Sequence, residues 1–341
     1  MRTKPVTLIC LEFSNLILTK ILHTYRYTGI PWNILKDAVP EGFTVETLVT
    51  PTLEALCAQA RDADYFLVSG RLRIDDTVLN AAPRLKMIQR TGVGTEMLDL
   101  DAIYKRGIPV YVNAGVNARS VAEHTLTLIL ACLKRLPEIN AQVHNGIWKK
   151  QATGVTTREL YGKGVGLVGM GNIGRLVASM LLAFGAKVFY TDIVRQSEEV
   201  ETRLGLTFFD SIDGMLPIVD VLSLHCPLTE NNTGMINARS LARMKDGAIV
   251  VNTARGPLVD ADALYDALVA GHICAAGLDT HQDEPTRPDY KLATLDNVIL
   301  TPHIGGLSYE SFSSMMQGAV NNIIAFESGD LASIEDKRLI F

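Results

Sequence analysis

The chain has little net charge and no long apolar run, and these absences exclude several classes of function. Its 32 basic and 37 acidic residues leave a formal charge of −5 on 341 residues, and the basic residues are scattered, so nothing predicts nucleic-acid binding. The longest apolar helical stretch, at residues 126–133, is far shorter than the roughly 20 residues needed to cross a bilayer. We therefore expect neither a membrane span nor a targeting segment.

Paired cysteines and metal-ligand spacings are also lacking. The five cysteines are dispersed and contain no C-x-x-C pair, which argues against a disulfide framework and fits a reducing cytoplasm. His281, Asp283 and His303 match no familiar ligand set, so no metal is expected.

The length of the chain and its alternation of strands with helices predict two α/β domains with parallel sheets. The first series has predicted strands at 6–11, 43–48, 65–68, 86–89 and 110–112, with helices at 15–27, 51–60, 75–82 and 98–105. A long helix is predicted at 120–136, bent or ended by Pro137. The second series has strands at 165–168, 187–190, 207–209, 219–224, 248–252, 274–278 and 298–301, and a last helix at 309–326.

A glycine-rich turn carries the strongest single motif. A buried strand runs into Gly169-Met170-Gly171-Asn172-Ile173-Gly174, and apolar residues at helical spacing follow. Gly169 permits the turn, Gly171 lets the backbone approach a pyrophosphate, and Gly174 lets helix and strand pack closely. The N–H groups and positive dipole end at the helix start, where Asn172 and Ile173 lie, then hold the phosphates.

An acidic residue completes this dinucleotide-binding pattern. Asp192 lies just past the next strand, where its carboxylate can accept both ribose hydroxyls of an adenosine and would repel a 2′-phosphate. We therefore expect NAD as the cofactor. The nearby Arg195 leaves NADP open.

Three polar side chains follow strands of the second series. Arg255, Glu284 and His303 each come after a different strand, and ligands of doubly wound sheets bind beyond the carboxyl ends of strands. Guanidinium can grip the carboxylate of a 2-keto acid, and imidazolium can give a proton to its carbonyl oxygen as hydride reaches the carbon. A carboxylate favours the charged form of a histidine and orients it. The set therefore predicts reduction of 2-keto acids and the reverse oxidation.

Each of these residues also has an ordinary interpretation. Arg255 suits an ion pair at a strand end, Glu284 a solvated acidic loop, and His303 a turn residue bonded to backbone. His225, which also ends a strand, is the other candidate for the acid/base.

An ordered set of motifs makes the chain resemble the D-isomer-specific 2-hydroxyacid dehydrogenase family over nearly its whole length. They are Arg90-Thr91-Gly92-Val93-Gly94, Ser120-Val121-Ala122-Glu123-His124, the turn at 169–174, His225-Cys226-Pro227-Leu228-Thr229, Thr253-Ala254-Arg255-Gly256, Gly277-Leu278-Asp279, Glu284-Pro285 and Thr301-Pro302-His303. One departure is Thr280-His281, where the family usually has a hydrophobic pair, and it puts in doubt the packing of the loop that carries Glu284.

The resemblance implies two doubly wound parallel-sheet domains: a Rossmann NAD domain at 113–305, inserted in a flavodoxin-like substrate domain at 1–112 plus 306–341. It implies that Arg255 binds substrate, that His303 is the acid/base and that Glu284 is its partner. It also implies a homodimer built around residues 120–150.

The resemblance implies further contacts. Val93 and Gly94 offer N–H groups to the substrate carboxylate. His225 and Pro227 lie against the cofactor and Thr253 near the nicotinamide ribose. Asp279 supports the site from behind, and we place it with the cofactor-binding residues.

The substrate stays open between 3-phosphoglycerate and glyoxylate or hydroxypyruvate. In the phosphoglycerate dehydrogenase branch an arginine in the loop that here holds Arg71 meets the substrate phosphate, and the segment beginning at Asn117 resembles the same branch. The chain ends soon after its last predicted helix, so serine feedback through a further small domain is not expected. A different class, an NAD-sensing corepressor of the C-terminal-binding type, shares the scaffold but generally adds a long polar tail.

Overall fold

The computed structural model describes residues 18–70 and 72–339, and its contacts divide the chain into two compact units. The first unit comprises the described residues up to Val116 together with those from Ser313 onward, and the second is Asn117–Phe312. The boundaries predicted from the resemblance, at 112/113 and 305/306, lie a few residues earlier. The strand predicted at 6–11 lies outside the described residues.

The first unit is a five-stranded parallel sheet with the order β2-β1-β3-β4-β5. Its strands are β1 Thr19–His23, β2 Phe43–Thr47, β3 Tyr65–Val68, β4 Met87–Arg90 and β5 Val110–Tyr111. The intervening helices are α1 Gly29–Ala38, α2 Leu53–Ala60, α3 Asp76–Asn80 and α4 Leu100–Lys105. The strand order reverses beside β1, which makes the carboxyl ends of β1 and β3 the topological switch point of this sheet.

The helix predicted at 15–27 is wrong, because residues 19–23 form β1. Ile21, Leu22 and His23 are all fully buried, so the strand has no exposed face and no polar alternation. A short apolar run without alternation fits a buried strand and a helix equally well, and periodicity could not separate them.

The second unit is a seven-stranded parallel sheet with the order β12-β11-β10-β9-β6-β7-β8. Its strands are β6 Gly164–Val168, β7 Lys187–Thr191, β8 Thr207–Phe208, β9 Val221–Leu224, β10 Ala248–Asn252, β11 Ile273–Leu278 and β12 Val298–Leu300. Its helices are α5 Ala118–Lys134, α6 Leu136–His144, α7 Lys150–Gly154, α8 Asn172–Ala183, α9 Glu198–Leu204, α10 Ile212–Met215, α11 Ala238–Leu241 and α12 Ala261–Val269. The last helix, α13 Tyr309–Ser328, crosses the boundary between the units.

Two apolar cores cover the two faces of the second sheet, which explains why its strands read as continuous hydrophobic runs. Along β6, Val165 and Leu167 pack in one core with residues of α5 and α8. Val168 points into the other core, which holds residues of α10 and α12. Helices on both faces leave the strand ends as the accessible part of the sheet.

The long helix predicted at 120–136 stops before Pro137 rather than bending at it. Arg135 has φ 50°, a left-handed conformation that ends α5, and Pro137 then lies in the first turn of α6. Proline suits that position because its missing N–H has no intrahelical partner there. Within residues 18–70 and 72–339, no helix combines the length and the apolar character that crossing a membrane requires.

Candidate active site

The glycine turn lies between β6 and α8 and leaves open space at the start of the helix. Gly169 has φ +102°, and a Cβ there would lie 2.7 Å from the carbonyl carbon of His225. A Cβ on Gly174 would lie 2.2 Å from the carbonyl oxygen of Gly169, so helix and turn touch. A Cβ on Gly171, by contrast, would meet no atom of the described residues within 4 Å. The turn is therefore tightly packed at Gly169 and Gly174 and open at Gly171, as the approach of a pyrophosphate requires.

Asp192 follows β7 and points back at this turn. Its carboxylate accepts the N–H of Met170, inside the turn, and the N–H of Val194 at 2.9 Å. The acid is thus held beside the phosphate-binding backbone, which is where a ribose of a dinucleotide bound there would lie.

His225 packs behind the turn and is poorly suited to proton transfer. Its Nε2 lies 2.9 Å from the hydroxyl of Ser223, and burial lowers the pKa of His225 to about 4. Its Nδ1 is buried and finds no hydrogen-bond partner among the described residues. A histidine that is neutral near pH 7 cannot donate the proton that ketone reduction needs, so the geometry favours His303 over His225 as the acid/base.

The turn, the acid and the orphaned His225 nitrogen together fit a bound dinucleotide. The other residues expected at the cofactor have mixed surroundings: Pro227 is exposed, whereas Thr253 is buried with its hydroxyl 2.9 Å from that of Thr125. Their contacts with NAD stay predictions.

Asp279, at the end of β11, ties down the loop that carries His303. The residue is 1% exposed, and its carboxylate accepts the hydroxyl of Thr301 at 2.6 Å and the N–H groups of Ile304 and Gly305 at 2.9 and 2.8 Å. His124 Nε2 lies 3.4 Å from the same carboxylate. Burial alone would raise the pKa of Asp279, but the hydrogen bonds from His124, Thr301 and the loop amides outweigh it and hold the pKa at about 2.

His303 projects from this loop in a backbone conformation that few residues adopt. Its φ is 56°, and it lies between Thr301 and Ile304, both of which are bonded to Asp279. A left-handed non-glycine residue is strained by about 1–3 kcal/mol, which the surrounding bonds must offset. The bonds of Thr301, Ile304 and Gly305 to Asp279 hold the backbone of His303 in this conformation.

Glu284 meets the His303 ring directly. His303 Nδ1 lies 2.9 Å from Glu284 Oε2, and the other carboxylate oxygen, Oε1, accepts the N–H of His281 at 3.0 Å. With Nδ1 occupied by the carboxylate, Nε2 is left for a substrate. The structure therefore brings together the predicted acid/base and its predicted partner from two separate loops.

His281 is a supporting residue that sequence reasoning missed. Its ring is buried, with Nε2 2.9 Å from the carbonyl oxygen of Thr301 and Nδ1 3.4 Å from the hydroxyl of Tyr290. The departure at Thr280-His281 thus leaves the loop well packed around Glu284. The signal in the sequence is a histidine where the family usually has an apolar residue, but it does not predict the contact with Thr301.

Arg255 follows β10 in a loop that touches the Glu284 loop. A Cβ on Gly256 would lie 2.0 Å from the carbonyl carbon of His281, so the two backbones are in contact. Arg255 is partly exposed and donates from Nη1 to the carbonyl oxygen of Ala254 at 2.8 Å. The loop that carries Arg255 therefore lies against the loop that carries Glu284.

The predicted substrate contacts divide between the units. In the first unit Val93 is 54% exposed, and Arg90 holds its turn by donating to the carbonyl oxygens of Gly94 at 2.6 Å and Val68 at 3.1 Å. In the second unit Asn117 lies against Gly306, where an added Cβ would be 2.5 Å from its Nδ2. Arg71 lies outside the described residues.

We expect Asp279→Asn to loosen the His303 loop. An amide offers one acceptor where the carboxylate offers two, so at least one loop N–H loses its partner. The free energy of unfolding should fall by about 1–3 kcal/mol, together with kcat. In the wild type, the contribution of Asp279 to the free energy of unfolding is present above the ordinary aspartate pKa of about 4 and is lost as pH falls towards 2. The free energy of unfolding of the variant should therefore fall less steeply as the pH is lowered.

Urea unfolding at several pH values measures this effect. Asp296→Asn, an exposed acid just before β12, is the matched control and should change neither quantity. Equal stability of Asp279→Asn and wild type from pH 3 to 7 would contradict the tethering role.

A family model described as "D-isomer specific 2-hydroxyacid dehydrogenase, NAD binding domain" matches residues 126–305. The chain is 40% identical over 283 residues to a glyoxylate reductase of Thermofilum pendens, covering 82% of this chain and 83% of that protein. It is 39% identical over 252 residues to a hydroxypyruvate reductase of Thermotoga maritima, covering 73% and 80%.

Two further matches bear on size and fold. A D-3-phosphoglycerate dehydrogenase of Mycobacterium bovis is 41% identical over 261 residues, which is 76% of this chain but 48% of that protein, so the chain spans about half of its length. The crystal structure of D-lactate dehydrogenase from Aquifex aeolicus, complexed with NAD and lactic acid, superposes with a TM-score of 0.82 at 32% identity and covers 95% of this chain and 99% of that one.

Proposed function

The chain belongs to the D-isomer-specific 2-hydroxyacid dehydrogenase family, and from that premise we propose that His303 is its acid/base, Glu284 its partner and Arg255 its substrate anchor. The observation that carries the proposal is the 2.9 Å contact between His303 Nδ1 and Glu284 Oε2 beyond the carboxyl ends of adjacent strands.

The predicted family, fold class, cofactor and reaction type are confirmed. The protein is an NAD-dependent oxidoreductase that interconverts D-2-hydroxy acids and 2-keto acids on two parallel-sheet α/β domains. The named relatives are enzymes, which supports this function over the corepressor alternative.

The proton chemistry follows from the orientation of His303. Bound NADH supplies the hydride for reduction, and NAD accepts it in the reverse direction. Glu284 accepts the Nδ1–H of His303, so Nε2 donates its proton to the carbonyl oxygen of the keto acid. In the oxidative direction the neutral Nε2 accepts the hydroxyl proton. Because the N–H of His281 holds the second oxygen of Glu284, the carboxylate keeps this orientation through both directions.

Arg255 is the proposed binding group for the substrate carboxylate. Its guanidinium can bind the substrate carboxylate through two parallel hydrogen bonds and withdraw charge from the adjacent carbonyl. Val93 and Gly94 stay predicted substrate contacts of the first unit. In the second unit, Asn117 lies close to the His303 loop through Gly306.

The cofactor site follows the glycine turn. The N–H groups of Asn172 and Ile173, beside the open space at Gly171, would hold the pyrophosphate, and Asp192 would hold the adenosine ribose. His225, Pro227, Thr253 and Asp279 line the nicotinamide side, with Asp279 acting chiefly through the loop that it holds.

We propose glyoxylate or hydroxypyruvate as the substrate. The relatives with these names match four-fifths or more of their own length. The second candidate is 3-phosphoglycerate, favoured by Arg71 and by the identity with the phosphoglycerate dehydrogenases.

We also propose a cytoplasmic homodimer built through residues 120–150. None of the described residues of α6 is buried, and apolar side chains project along the segment that follows it, including Ile147 at 40% and Trp148 at 79% exposure. Large apolar side chains in such a row are typical of an interface. The cysteines described in the structure are free thiols, which fits a reducing compartment.

His303→Ala should lower kcat by about 10²–10⁴-fold while NADH binding survives, because the variant loses the proton donor but keeps the glycine turn. Stopped-flow turnover of glyoxylate and calorimetric NADH binding measure the two properties. His272→Ala is the matched control, since His272 also faces an acid, Asp246 at 3.5 Å, remote in sequence from the site. Undiminished turnover in His303→Ala would remove the proposed role.

A panel of 2-keto acids assayed by NADH absorbance should show the highest kcat/KM with glyoxylate or hydroxypyruvate.

If 3-phosphoglycerate is a substrate, Arg71→Ala should weaken its oxidation far more than the reduction of glyoxylate. Arg73→Ala, which removes a surface arginine paired with Asp99 at 3.4 Å, is the control. Equal effects of Arg71→Ala on both substrates would leave the phosphate assignment without support.

Trp148→Ser should convert a dimer to a folded monomer, because it removes the largest exposed apolar side chain of the segment. Light scattering after size exclusion gives the mass, and circular dichroism checks the fold. Tyr161→Ser, which removes another exposed aromatic outside the segment, should leave the dimer intact. A monomeric wild type, or a dimer unaffected by Trp148→Ser, contradicts the proposed interface.

A further inference from the structure

Arg195 lies in the same loop as Asp192 and could in principle bind the 2′-phosphate of NADP. The loop is held close to the glycine turn, since Asp192 accepts the N–H of Met170 in the turn and the N–H of Val194, the residue before Arg195. An arginine at this place in a dinucleotide-binding unit is the group that would favour NADP. What the guanidinium binds in this structure therefore decides the cofactor preference.

Glu201, in α9, holds that guanidinium. Arg195 Nε and Nη2 lie 2.9 and 2.7 Å from the two oxygens of Glu201, which is a bidentate pair with parallel hydrogen bonds. The side chain of Glu201 is 9% exposed whereas that of Arg195 is 60% exposed, so the acid is the fixed member and the arginine is drawn to it.

Two aromatic residues complete the arrangement. The hydroxyl of Tyr190 in β7 donates to Glu201 at 2.6 Å and accepts the N–H of Gln196 at 2.9 Å. The guanidinium carbon of Arg195 lies 5.0 Å from the centre of the Phe208 ring in β8. Hydrogen bonds from Arg195 and then Tyr190 lower the pKa of Glu201 to about 2, so the acid stays ionised over the working pH range.

We propose that Glu201 is a specificity-determining residue that keeps Arg195 from the 2′-phosphate of NADP and so sets the preference for NAD. The proposal rests on Asp192 binding the adenosine ribose. Two devices then act together: Asp192 repels the 2′-phosphate, and Glu201 occupies the cation that would attract it. Neither Glu201 nor Tyr190 touches the cofactor in this arrangement, and both act through Arg195.

The test is direct binding of NADH and NADPH to the full-length protein by isothermal titration calorimetry. Glu201→Gln keeps the size of the side chain and removes its charge, so Arg195 is released. The ratio of the dissociation constant for NADPH to that for NADH should fall about tenfold, almost entirely through tighter NADPH binding. Adding Arg195→Gln to Glu201→Gln should return the ratio to the wild-type value.

Glu198→Gln is the matched control, since it removes the same charge from an exposed position of the same helix. An equal fall in the ratio there means that net charge alone acts, and the proposal is overturned. An unchanged ratio in Glu201→Gln with NADH binding intact overturns it as well. So does a fall that persists in the double variant.

Arg195→Gln alone keeps the test decisive if Glu201→Gln does not fold. The proposal requires that removing the held arginine leaves both dissociation constants unchanged. Weaker NADPH binding in this variant shows that Arg195 already serves the phosphate, which overturns the proposal. Failure of the wild type to bind NADH would instead refute the cofactor site itself, so the two failures are distinguishable.

Discussion

The buried carboxylate of Asp279 is the constraint on which the proposed site depends. An ionised acid that is 1% exposed is destabilising unless it is fully hydrogen-bonded, and here Thr301, Ile304, Gly305 and His124 supply the partners. Those partners belong to the loop beyond β12 and to α5, so satisfying one acid fixes the loop. His303, in the middle of that loop, is held at φ 56° as a consequence. The backbone of the proposed proton donor is thus held in place by an ionised carboxylate at a neighbouring strand end.

Environment rather than residue type separates the roles of like side chains. His225 and His303 both follow strands of one sheet, yet burial lowers the pKa of His225 to about 4 and leaves one nitrogen orphaned, whereas His303 faces a carboxylate. Asp279 and Glu284 divide in the same way. Asp279 is enclosed by donors from the His303 loop and from α5, whereas Glu284 accepts a backbone N–H with one oxygen and contacts an imidazole with the other. In a site with two histidines and two acids, different surroundings are needed to give each residue its own protonation state and role.

The sequence predicted the strand ends well and the supporting contacts poorly, for physical reasons. Parallel strands bring their carboxyl ends to one edge, so Arg255, Glu284 and His303 could be expected to converge, while the pairing of Glu284 with His303 came from the family resemblance. The partner of Arg195 could not be predicted, because a hydrogen bond between a loop and the next helix has no periodic signal. The same holds for His281, whose value lies in its contact with Thr301. The wrong helix at 15–27 had another cause, since β1 is buried on both sides and shows no alternation.

The glycine turn, the His303–Glu284 pair and the proposed anchor Arg255 all lie in the second unit, at the carboxyl ends of the strands of a single sheet. The residues proposed for the reaction are therefore contained in one unit, where hydrogen bonds between backbone and carboxylate groups hold their loops in place. The loops expected to recognise the rest of the substrate, near Val93 and the turn at Gly70, belong to the first unit. Changes in those loops can alter which keto acid is accepted without disturbing Asp279 or the His303–Glu284 pair. This separation explains why the sequence determines the chemistry more firmly than the substrate.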